Sequence, residues 1–545
     1  MTLWRFLSSH SDVPLPRVMA VAGVSGLSNA MLLAVINRAA YSVSDGGIDL
    51  RVFVLFLLAI ALYVLSQSYI LRVSGIEVEK IIARLRVRLS DKIRHADLQS
   101  LEHLGRSQLY STMNTDTLTL SQTTAPMILA GQGVILVFCS LGYLFLLSKA
   151  AFTLTLIIVA AGIAINAAHK KQLTREMEMA TERENEFFSV LTHLVDGFKE
   201  VKINAARSRD LYEHMKVIAG QVAALKTKTA IRYADKYIAS QVLFYLLIGA
   251  MVFIVPVVTV MAPDDVQRIT ASILFITGPL TMVVGSYPAY RAAEYAVHNI
   301  VRLEEELDGA QGAYVADRNN GATAPPARLI EMKGVQFSYR DHAGQPGFSV
   351  GPFDFTLNQG ELLFIVGGNG SGKSTFLKLL TGLYDPDAGE ILVDGVPVPT
   401  VGRQNYRELY SAIFSDYHLF ERLYGIPDVD RQRVFDLLRQ MQIERKTTWA
   451  NGRFQNQDLS TGQRKRLALI ISLLEDKPMY IFDEWAADQD PEFRKFFYES
   501  LLPEMKRQGK TVVAATHDDR SFHVGDRTLK MEVGQFVADA PETSP

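Results

Sequence analysis

Six apolar stretches in the first half of the chain constrain its fold more than any other feature. Each has at least 18 residues, and none contains Asp, Glu, Lys or Arg. A helix of about 20 apolar residues crosses the hydrocarbon core of a bilayer, so the stretches predict six membrane spans rather than buried helices of a soluble core. They are Val18–Ile36, Val52–Leu71, Met127–Leu147, Ala151–Ala168, Ile238–Met261 and Ile269–Tyr287.

Basic residues set the expected orientation of these spans. Lys and Arg cluster after the second span, from Arg72 to Arg106, and after the fourth, from Lys170 to Arg207. Because such residues are retained on the cytoplasmic side, both connections and both termini are predicted to be cytoplasmic. Cleavage near Ala39 and Ala40 would instead make the first stretch a signal peptide, but the stretch is long for one and its removal would leave five spans.

The connection after the second span has a helical apolar period. Val78, Ile81, Leu85, Leu89 and Ile93 recur at steps of three and four residues, with basic residues between them. This pattern predicts that the second membrane helix continues into water.

The composition changes after the sixth span. Residues 308–326 are rich in Gly, Ala, Asn and Pro and lack an apolar period, which predicts a linker. We therefore expect a six-span α-helical transmembrane domain over 1–310, a linker over 311–327, and an α/β domain over 328–545 in which short buried strands alternate with helices. The formal net charge of −2 gives no reason to expect a nucleic-acid partner.

A glycine-rich loop follows the apolar strand Leu362–Val366. In such a loop successive backbone N–H groups face phosphates, a lysine reaches the β and γ oxygens, and a hydroxyl contacts Mg²⁺. The helix that begins after the loop favours the same anion. The loop residues, which predict a nucleoside triphosphate site, are Gly367, Gly368, Asn369, Gly370, Ser371, Gly372, Lys373, Ser374 and Thr375.

Three further segments accompany this loop. Leu459–Gln463 stands at a predicted helix start, and the buried strand Met479–Phe482 ends in Asp483 and Glu484. A third strand, Thr511–Ala515, leads to His517. An acidic pair at the end of a buried strand is suited to Mg²⁺ and water, so the ordered set predicts an ATPase α/β domain.

These motifs resemble those of the ABC transporter superfamily, and six spans before one nucleotide-binding domain resemble an exporter-type half-transporter. The resemblance implies that Asp483 and Ser374 hold Mg²⁺, that Glu484 is the general base, and that Lys373 and His517 act with it. It also implies an adenine-stacking role for Tyr339 and a D-loop role for Asp490. The implied signature, which contacts the partner's ATP, is Ser460, Thr461, Gly462 and Gln463.

The resemblance implies a dimer, because a signature that acts on a partner's ATP has no function in a monomer and the chain has one copy of each motif. Two departures from the family pattern stand out. Ser415, followed by Asp416, occupies the place of the usual coupling-loop Gln, and Thr461 replaces a usual Gly. Two stretches, Gly105–Thr117 and Gly197–Asn204, resemble exporter coupling segments.

Phe414–Phe420 and Leu459–Leu467 together resemble the bacterial cyclic-peptide and siderophore-precursor exporters, the group that includes the pyoverdine-precursor and syringomycin exporters. The expectation is a homodimer in the bacterial inner membrane that uses ATP and Mg²⁺ to export a peptide-type substrate from the cytoplasm. A heterodimer, in which a paralogue supplies the second half, is the alternative to the homodimer. A multidrug or lipid exporter shares every ATPase motif and is the nearer alternative. A membrane-anchored ATP-binding regulator is the second.

Overall fold

A computed structural model describes residues 3–44, 49–168, 170–259, 263–310, 327–340, 345–426, 429–517 and 519–537. The first half of the chain is helical. Its helices are α1 (Leu3–His10), α2 (Leu15–Ser44), α3 (Leu50–His95), α4 (Leu98–Leu104), α5 (Arg106–Tyr110), α6 (Thr117–Leu147), α7 (Lys149–Ala168), α8 (Lys170–Asp196), α9 (Phe198–Ile203), α10 (Ala205–Gly249), α11 (Val255–Thr259), α12 (Pro263–Gly285) and α13 (Tyr287–Ala310). Two π-helical segments, Ser111–Asp116 and Ala250–Ile254, join α5 to α6 and α10 to α11.

Five of the six predicted spans fall on helices that are long and apolar enough to cross a membrane. The five continuous helical ranges are Pro16–Ala39, Leu50–His95, Gln108–Leu147, Ala205–Val257 and Val266–Ala310. The fourth predicted span falls on α7, whose apolar part within the described residues, Lys149–Gly162, is shorter than a bilayer requires. The sixth span in the count therefore stays a prediction.

The predicted extension of the second membrane helix is confirmed. α3 has 46 residues, about 70 Å at 1.5 Å per residue, which is more than twice the hydrocarbon thickness. Val78, Ile81 and Leu85 are buried and pack with Met127 of α6 and Val297 of α13. The apolar period therefore marks a face of α3 that packs against other helices, and the intervening charges lie outside it.

Two carboxylates of α8 form ion pairs with α10. Glu176 is only 5% exposed at its side chain, and its Oε1 lies 2.5 Å from Arg232 Nη1 and 3.5 Å from Lys228 Nζ. Glu184 pairs with Lys226 at 2.7 Å, but both side chains are exposed. The contacts between these two helices thus include one buried and one exposed carboxylate.

The second half contains two main sheets and a short hairpin. Its strands are β1 (Leu329–Arg340), β2 (Pro346–Asn358), β3 (Leu362–Val366), β4 (Ala388–Val393), β5 (Val396–Pro397), β6 (Tyr410–Ile413), β7 (Trp449–Ala450), β8 (Arg453–Phe454), β9 (Met479–Asp483), β10 (Thr511–Thr516), β11 (Arg527–Glu532) and β12 (Gln535–Val537). An antiparallel sheet has the order β2-β1-β4-β5, and the larger sheet has the order β12-β11-β3-β10-β9-β6.

Helices connect these strands, as the alternating pattern predicts. They are α14 (Lys373–Leu380), α15 (Val398–Val401), α16 (Arg403–Arg407), α17 (Arg431–Gln440), α18 (Thr461–Glu475), α19 (Pro491–Phe496) and α20 (Leu502–Arg507). In the larger sheet β3, β10, β9 and β6 are parallel neighbours. The α/β fold class with parallel strands is therefore confirmed, and the fully buried β3, β9 and β10 explain why their sequences are continuously apolar.

The chain forms two compact units whose boundaries differ from a division at residue 310. One comprises residues up to Leu89 and Tyr110–Leu303, and the other comprises Ser90–Leu109 and residues from Glu304 onward. α13 continues to Ala310, so the first three residues of the Gly-, Ala-, Asn- and Pro-rich stretch are helical. Most of that linker, residues 311–326, lies outside the described residues, and the domain limits at 310, 327 and 328 stay predictions.

Glu176 and Glu184 allow a matched test of the ion pairs between α8 and α10. We expect E176A to lower the free energy of unfolding by about 2 kcal/mol, because it removes a buried carboxylate that contacts both Arg232 and Lys228. E184A removes a solvated pair and should cost less than about 1 kcal/mol. The thermal unfolding midpoint in detergent measures both. An equal or larger shift for E184A would contradict the assignment of Glu176 as the structural carboxylate.

Candidate functional site

The ends of three parallel strands bring the predicted ATP-site residues together. β10 pairs with β3 on one side and β9 on the other, with Thr516 opposite Val366 and Ala515 opposite Asp483. Carboxyl ends of parallel strands meet at one edge of a sheet. The glycine-rich loop, Glu484 and His517 therefore lie together although up to 150 residues separate them in the chain.

Lys373 lies at the centre of this group. Its side chain is 4% exposed, and its Nζ donates to the carbonyls of Gly367 and Gly368 at 3.0 and 3.2 Å. The same Nζ lies 3.2 Å from His517 Nε2 and 3.4 Å from Glu484 Oε1. A buried ammonium needs partners of this kind, and these are the groups that a phosphate would displace or join.

The glycine-rich loop has the geometry of a phosphate cradle. Gly372 precedes α14 with φ of 106°, a conformation that favours glycine, and a Cβ there would lie 2.9 Å from Met531 Cε and Val350 Cγ1. Ser371 Oγ is buried and has no hydrogen-bond partner among the described residues. Gly368, Asn369 and Gly370 are exposed, so the loop opens toward solvent where a nucleotide would enter.

Glu484 and His517 form a hydrogen-bonded pair, with Glu484 Oε1 and His517 Nε2 2.8 Å apart. Partial burial raises the pKa of Glu484, but the His517 hydrogen bond and the Lys373 charge outweigh it and hold the pKa below its usual value. The carboxylate is therefore charged at neutral pH. A charged carboxylate beside the phosphate cradle is suited to polarise a water molecule.

Asp483 and Ser374 fit a magnesium site. Ser374 Oγ donates to Asp483 Oδ2 at 2.7 Å, while Asp483 Oδ1 is buried without a hydrogen-bond partner of good geometry among the described residues. Burial raises the pKa of Asp483, and the Ser374 hydroxyl and the Ser415 backbone oppose that rise. A carboxylate oxygen and a hydroxyl at one point are hard ligands of the kind that Mg²⁺ prefers.

The signature residues form the start of α18. Ser460 caps the helix by accepting from Gln463 N at 3.4 Å, and Gln463 Oε1 accepts in return from Ser460 N at 3.1 Å. Thr461 is the first helical residue, a position that does not require glycine, which explains why the departure there is compatible with the motif. Ser460 and Thr461 are exposed, and Gly462 follows them in the helix.

Asp490 caps α19. Its Oδ1 accepts from Phe493 N at 2.8 Å, and this bond, together with the Arg466 guanidinium, lowers the pKa of Asp490. Arg466 also lies 3.7 Å above the Phe493 ring. Asp490 is thus tied to α18 through Arg466, and its D-loop role stays a prediction.

Tyr339 packs among aromatic side chains at the end of β1. Its ring meets those of Phe337 and Tyr384 edge-on, at 5.2 and 5.9 Å between centroids. Its hydroxyl lies 3.1 Å from Thr375 Oγ1. The residue therefore belongs to the core beside the glycine-rich loop, and its role in adenine stacking stays a prediction.

Ser415 and Asp416 are exposed and follow β6. Ile413 at the end of β6 pairs with Phe482, the residue before Asp483. This register places the loop that carries Ser415 beside the magnesium-site carboxylate. Their coupling role stays a prediction.

Glu102 of α4 belongs to a polar cluster with Tyr384 and Lys378 that no sequence motif indicates. Glu102 Oε2 accepts from Tyr384 Oη at 2.5 Å, and Glu102 Oε1 accepts from Lys378 Nζ at 3.1 Å. Burial and the bond to Glu102 raise the pKa of Tyr384 well above its usual value, and Leu98 packs on the same core. Lys378 belongs to α14, which begins at Lys373, so α4 contacts the helix of the glycine-rich loop.

Glu102 lies before the predicted coupling stretch, which starts at Gly105. No motif marks Glu102 in the sequence, because an isolated glutamate on a short amphipathic segment reads as a solvent-facing residue. The cap formed by Asp97, which accepts from Ser100 N at 2.7 Å, is the one local signal of a separate helix there.

The glycine-rich loop, the strand-end acidic pair and the capped signature helix define an ATP-binding cassette, and helices long enough to span a membrane precede it. A family model described as ABC transporter matches residues 350–487. The chain is 34% identical over 484 residues to ATP-binding protein SyrD of Pseudomonas syringae pv. syringae, covering 84% of this chain and 83% of that protein.

Two further similarities concern the whole architecture. The chain is 24% identical over 490 residues to an ATP-dependent lipid A-core flippase of Paraburkholderia xenovorans, covering 84% of this chain and 78% of that protein. A bacterial Atm1-family ABC exporter, solved with ATP bound, has the same fold with a TM-score of 0.77 and 20% identity, covering 96% of this chain and 95% of the other. This chain belongs to the ABC transporter family as an exporter-type half-transporter, a multi-pass membrane protein that couples ATP hydrolysis to transport.

The cluster on α4 predicts that Glu102 keeps this helix docked. E102A removes both acceptors of a charge-assisted contact, which is worth about 1 kcal/mol at a half-exposed site. We expect hydrogen exchange of the α4 backbone amides to accelerate about fivefold. E306A, which removes the exposed 3.1 Å contact of Glu306 with Gln108, is the control. Unchanged exchange in E102A would show that Leu98 packing alone holds α4.

Proposed function

We propose that this chain is an ATP-driven exporter that works as a homodimer in the bacterial inner membrane and moves a peptide-type substrate out of the cytoplasm by alternating access. The observation that carries the dimer is the exposed Ser460 at the signature. One chain holds one glycine-rich loop and one signature, and a signature serine open to solvent is available to a second copy.

The chemistry follows from the residues around Lys373. Lys373 binds the phosphates and offsets the negative charge that develops on them in the transition state. Glu484, held charged by His517 and Lys373, orients and polarises the attacking water. Ser374 and Asp483 would hold Mg²⁺, which supplies further neutralisation of phosphate charge when it is bound.

Transport requires that ATP bind the closed pair of ATPase domains better than the open pair. In the proposed dimer Lys373 of one copy and Ser460 of the other contact the same ATP, and only the closed state provides both contacts. This difference in affinity is what drives the membrane helices outward. Hydrolysis through Glu484 removes the contacts and resets the cycle.

A peptide-type substrate is supported by the motifs around Phe414–Phe420 and Leu459–Leu467, which resemble those of cyclic-peptide and siderophore-precursor exporters. The six apolar stretches carry no carboxylate, so nothing in them favours coupling to protons or metal ions. A second candidate is lipid translocation, which the similarity to a lipid A-core flippase favours.

The assignment of Glu484 predicts a specific mutant phenotype. E484Q should bind ATP with unchanged affinity but hydrolyse it at least about 100-fold more slowly, because the general base is lost. Phosphate release and equilibrium ATP binding measure the two properties. E492Q, an exposed carboxylate on α19, is the control and should behave as the unsubstituted protein. Hydrolysis by E484Q near the unsubstituted rate would remove Glu484 from the mechanism.

The substrate class is tested in inverted membrane vesicles. Labelled cyclic peptide should accumulate inside the vesicles when ATP is added, and vesicles that carry E484Q should show none. Translocation of a fluorescent lipid without peptide uptake would establish the second candidate instead. Substrate-stimulated ATP hydrolysis in a reconstituted bilayer would distinguish either transporter from a membrane-anchored regulator.

A further inference from the structure

A buried lysine stands two residues after the signature. Lys465 is on α18, and its side chain is 7% exposed. Its Nζ donates to the backbone carbonyl of Glu484 at 2.8 Å and lies 2.7 Å from Asp488 Oδ2. Burying an ammonium is costly unless it is paired and hydrogen-bonded, and both of these partners lie in the segment that begins with the general base.

Glu484 needs such support, because its backbone is in the left-handed region. Its φ is 49° and its ψ is 34°, a conformation that costs a non-glycine residue about 1 kcal/mol or more and persists when its surroundings fix it. Its N–H donates to Ala515 O at 3.0 Å, and Ala487 N donates weakly to its carbonyl at 3.3 Å. The Lys465 ammonium therefore supplies the stronger hydrogen bond to that carbonyl.

The segment after Glu484 is packed against the start of α18. Trp485 Nε1 donates to Lys465 O at 2.9 Å, and Gln489 Nε2 donates to Gly462 O at 3.1 Å. A Cβ on Gly462 would lie 2.8 Å from Asp488 O. The signature and the general base of one chain are thus parts of a single close-packed unit.

We infer that Lys465 is a positioning residue that sets the place of Glu484 in its own chain and joins it to the signature that serves the other ATP. The inference rests on the proposed dimer. Lys465 contacts no phosphate-binding residue of the glycine-rich loop in the described structure, and it acts on the reaction through the Glu484 backbone. In the dimer, α18 begins with the signature that serves one ATP and contacts the Glu484 that serves the other. Binding of ATP at one site therefore affects the other site through α18.

The consequence is a change in kcat without a change in ATP affinity. K465M keeps the length of the aliphatic chain but removes the ammonium, and Asp488, which is about half exposed, is left to solvent rather than buried. A misplacement of about 1 Å at a catalytic group costs up to about 100-fold in rate. We expect kcat for ATP hydrolysis to fall at least about tenfold while the ATP concentration at half-saturation stays the same.

Two companion variants separate this role from a structural one. D488N keeps the Lys465 bond to the Glu484 carbonyl and should lower kcat by less than K465M does. K495M replaces a lysine that is 72% exposed on α19 and should change nothing. Equal loss of kcat in D488N and K465M would show that the ion pair, not the bond to Glu484, is what matters.

Mixed dimers test the direction of the effect. Two differently tagged copies are co-expressed, one of them carrying E484Q, so that only the Glu484 of the other copy hydrolyses ATP. K465M is then placed either in the copy with the intact Glu484 or in the E484Q copy, whose signature serves the active site. The mixed dimer without K465M is the reference.

The inference predicts that K465M slows hydrolysis when it is in the same chain as the intact Glu484 and has little effect in the other chain. A larger effect from the other chain would overturn it, because Lys465 would then act by shaping the signature. Absence of a mixed dimer or of hydrolysis in the reference would contradict the proposed dimeric function itself. The split between kcat and half-saturation in uniform K465M still tests Lys465 in that case.

Discussion

The nucleotide site depends on the contacts of one buried group, the ammonium of Lys373. It lies between the carbonyls of Gly367 and Gly368, Glu484 and His517, so it links the loops that follow β3, β9 and β10. The order β3-β10-β9 makes this meeting possible, and the apolar cores on the two faces of the sheet hold the strands in that order. The same ammonium contacts Glu484, the carboxylate proposed to carry out hydrolysis. Phosphate binding to Lys373 therefore changes a group that contacts Glu484 directly.

The sequence predicts the parts of this site that depend on local chain geometry. A strand followed by a glycine-rich turn and a helix specifies a phosphate cradle wherever it occurs, and the three apolar strands were located with little error. The start of α18 is also predicted, because the residues after Gln463 have a helical apolar period, and the structure adds that Ser460 and Gln463 form a capping box there. The apolar period alone predicts that α3 continues beyond the membrane span and which of its faces is buried.

Features that depend on contacts distant in sequence were not predicted. Glu102 meets Tyr384 across more than 280 residues, and nothing in the composition of either segment indicates the contact. The sequence motif does not indicate that Lys465 and Arg466 are buried, although Arg466 stands four residues before the buried Ile470 and so shares its helix face. The linker-like composition begins at Asp308, inside α13, because glycine and alanine in residues 309–310 are compatible with both helix and linker.

In the proposed dimer, ATP is bound by Lys373 and Glu484 of one chain and by Ser460 of the other. Complementation between inactive copies measures this most directly. K373A disables the glycine-rich loop and S460R blocks the signature, so each uniform dimer has no intact site. A mixed dimer of K373A and S460R has one intact site, built from the loop of the second copy and the signature of the first. The mixed dimer should hydrolyse ATP at a rate well above that of either uniform dimer. No hydrolysis by the mixed dimer, or normal hydrolysis by uniform S460R, would contradict it.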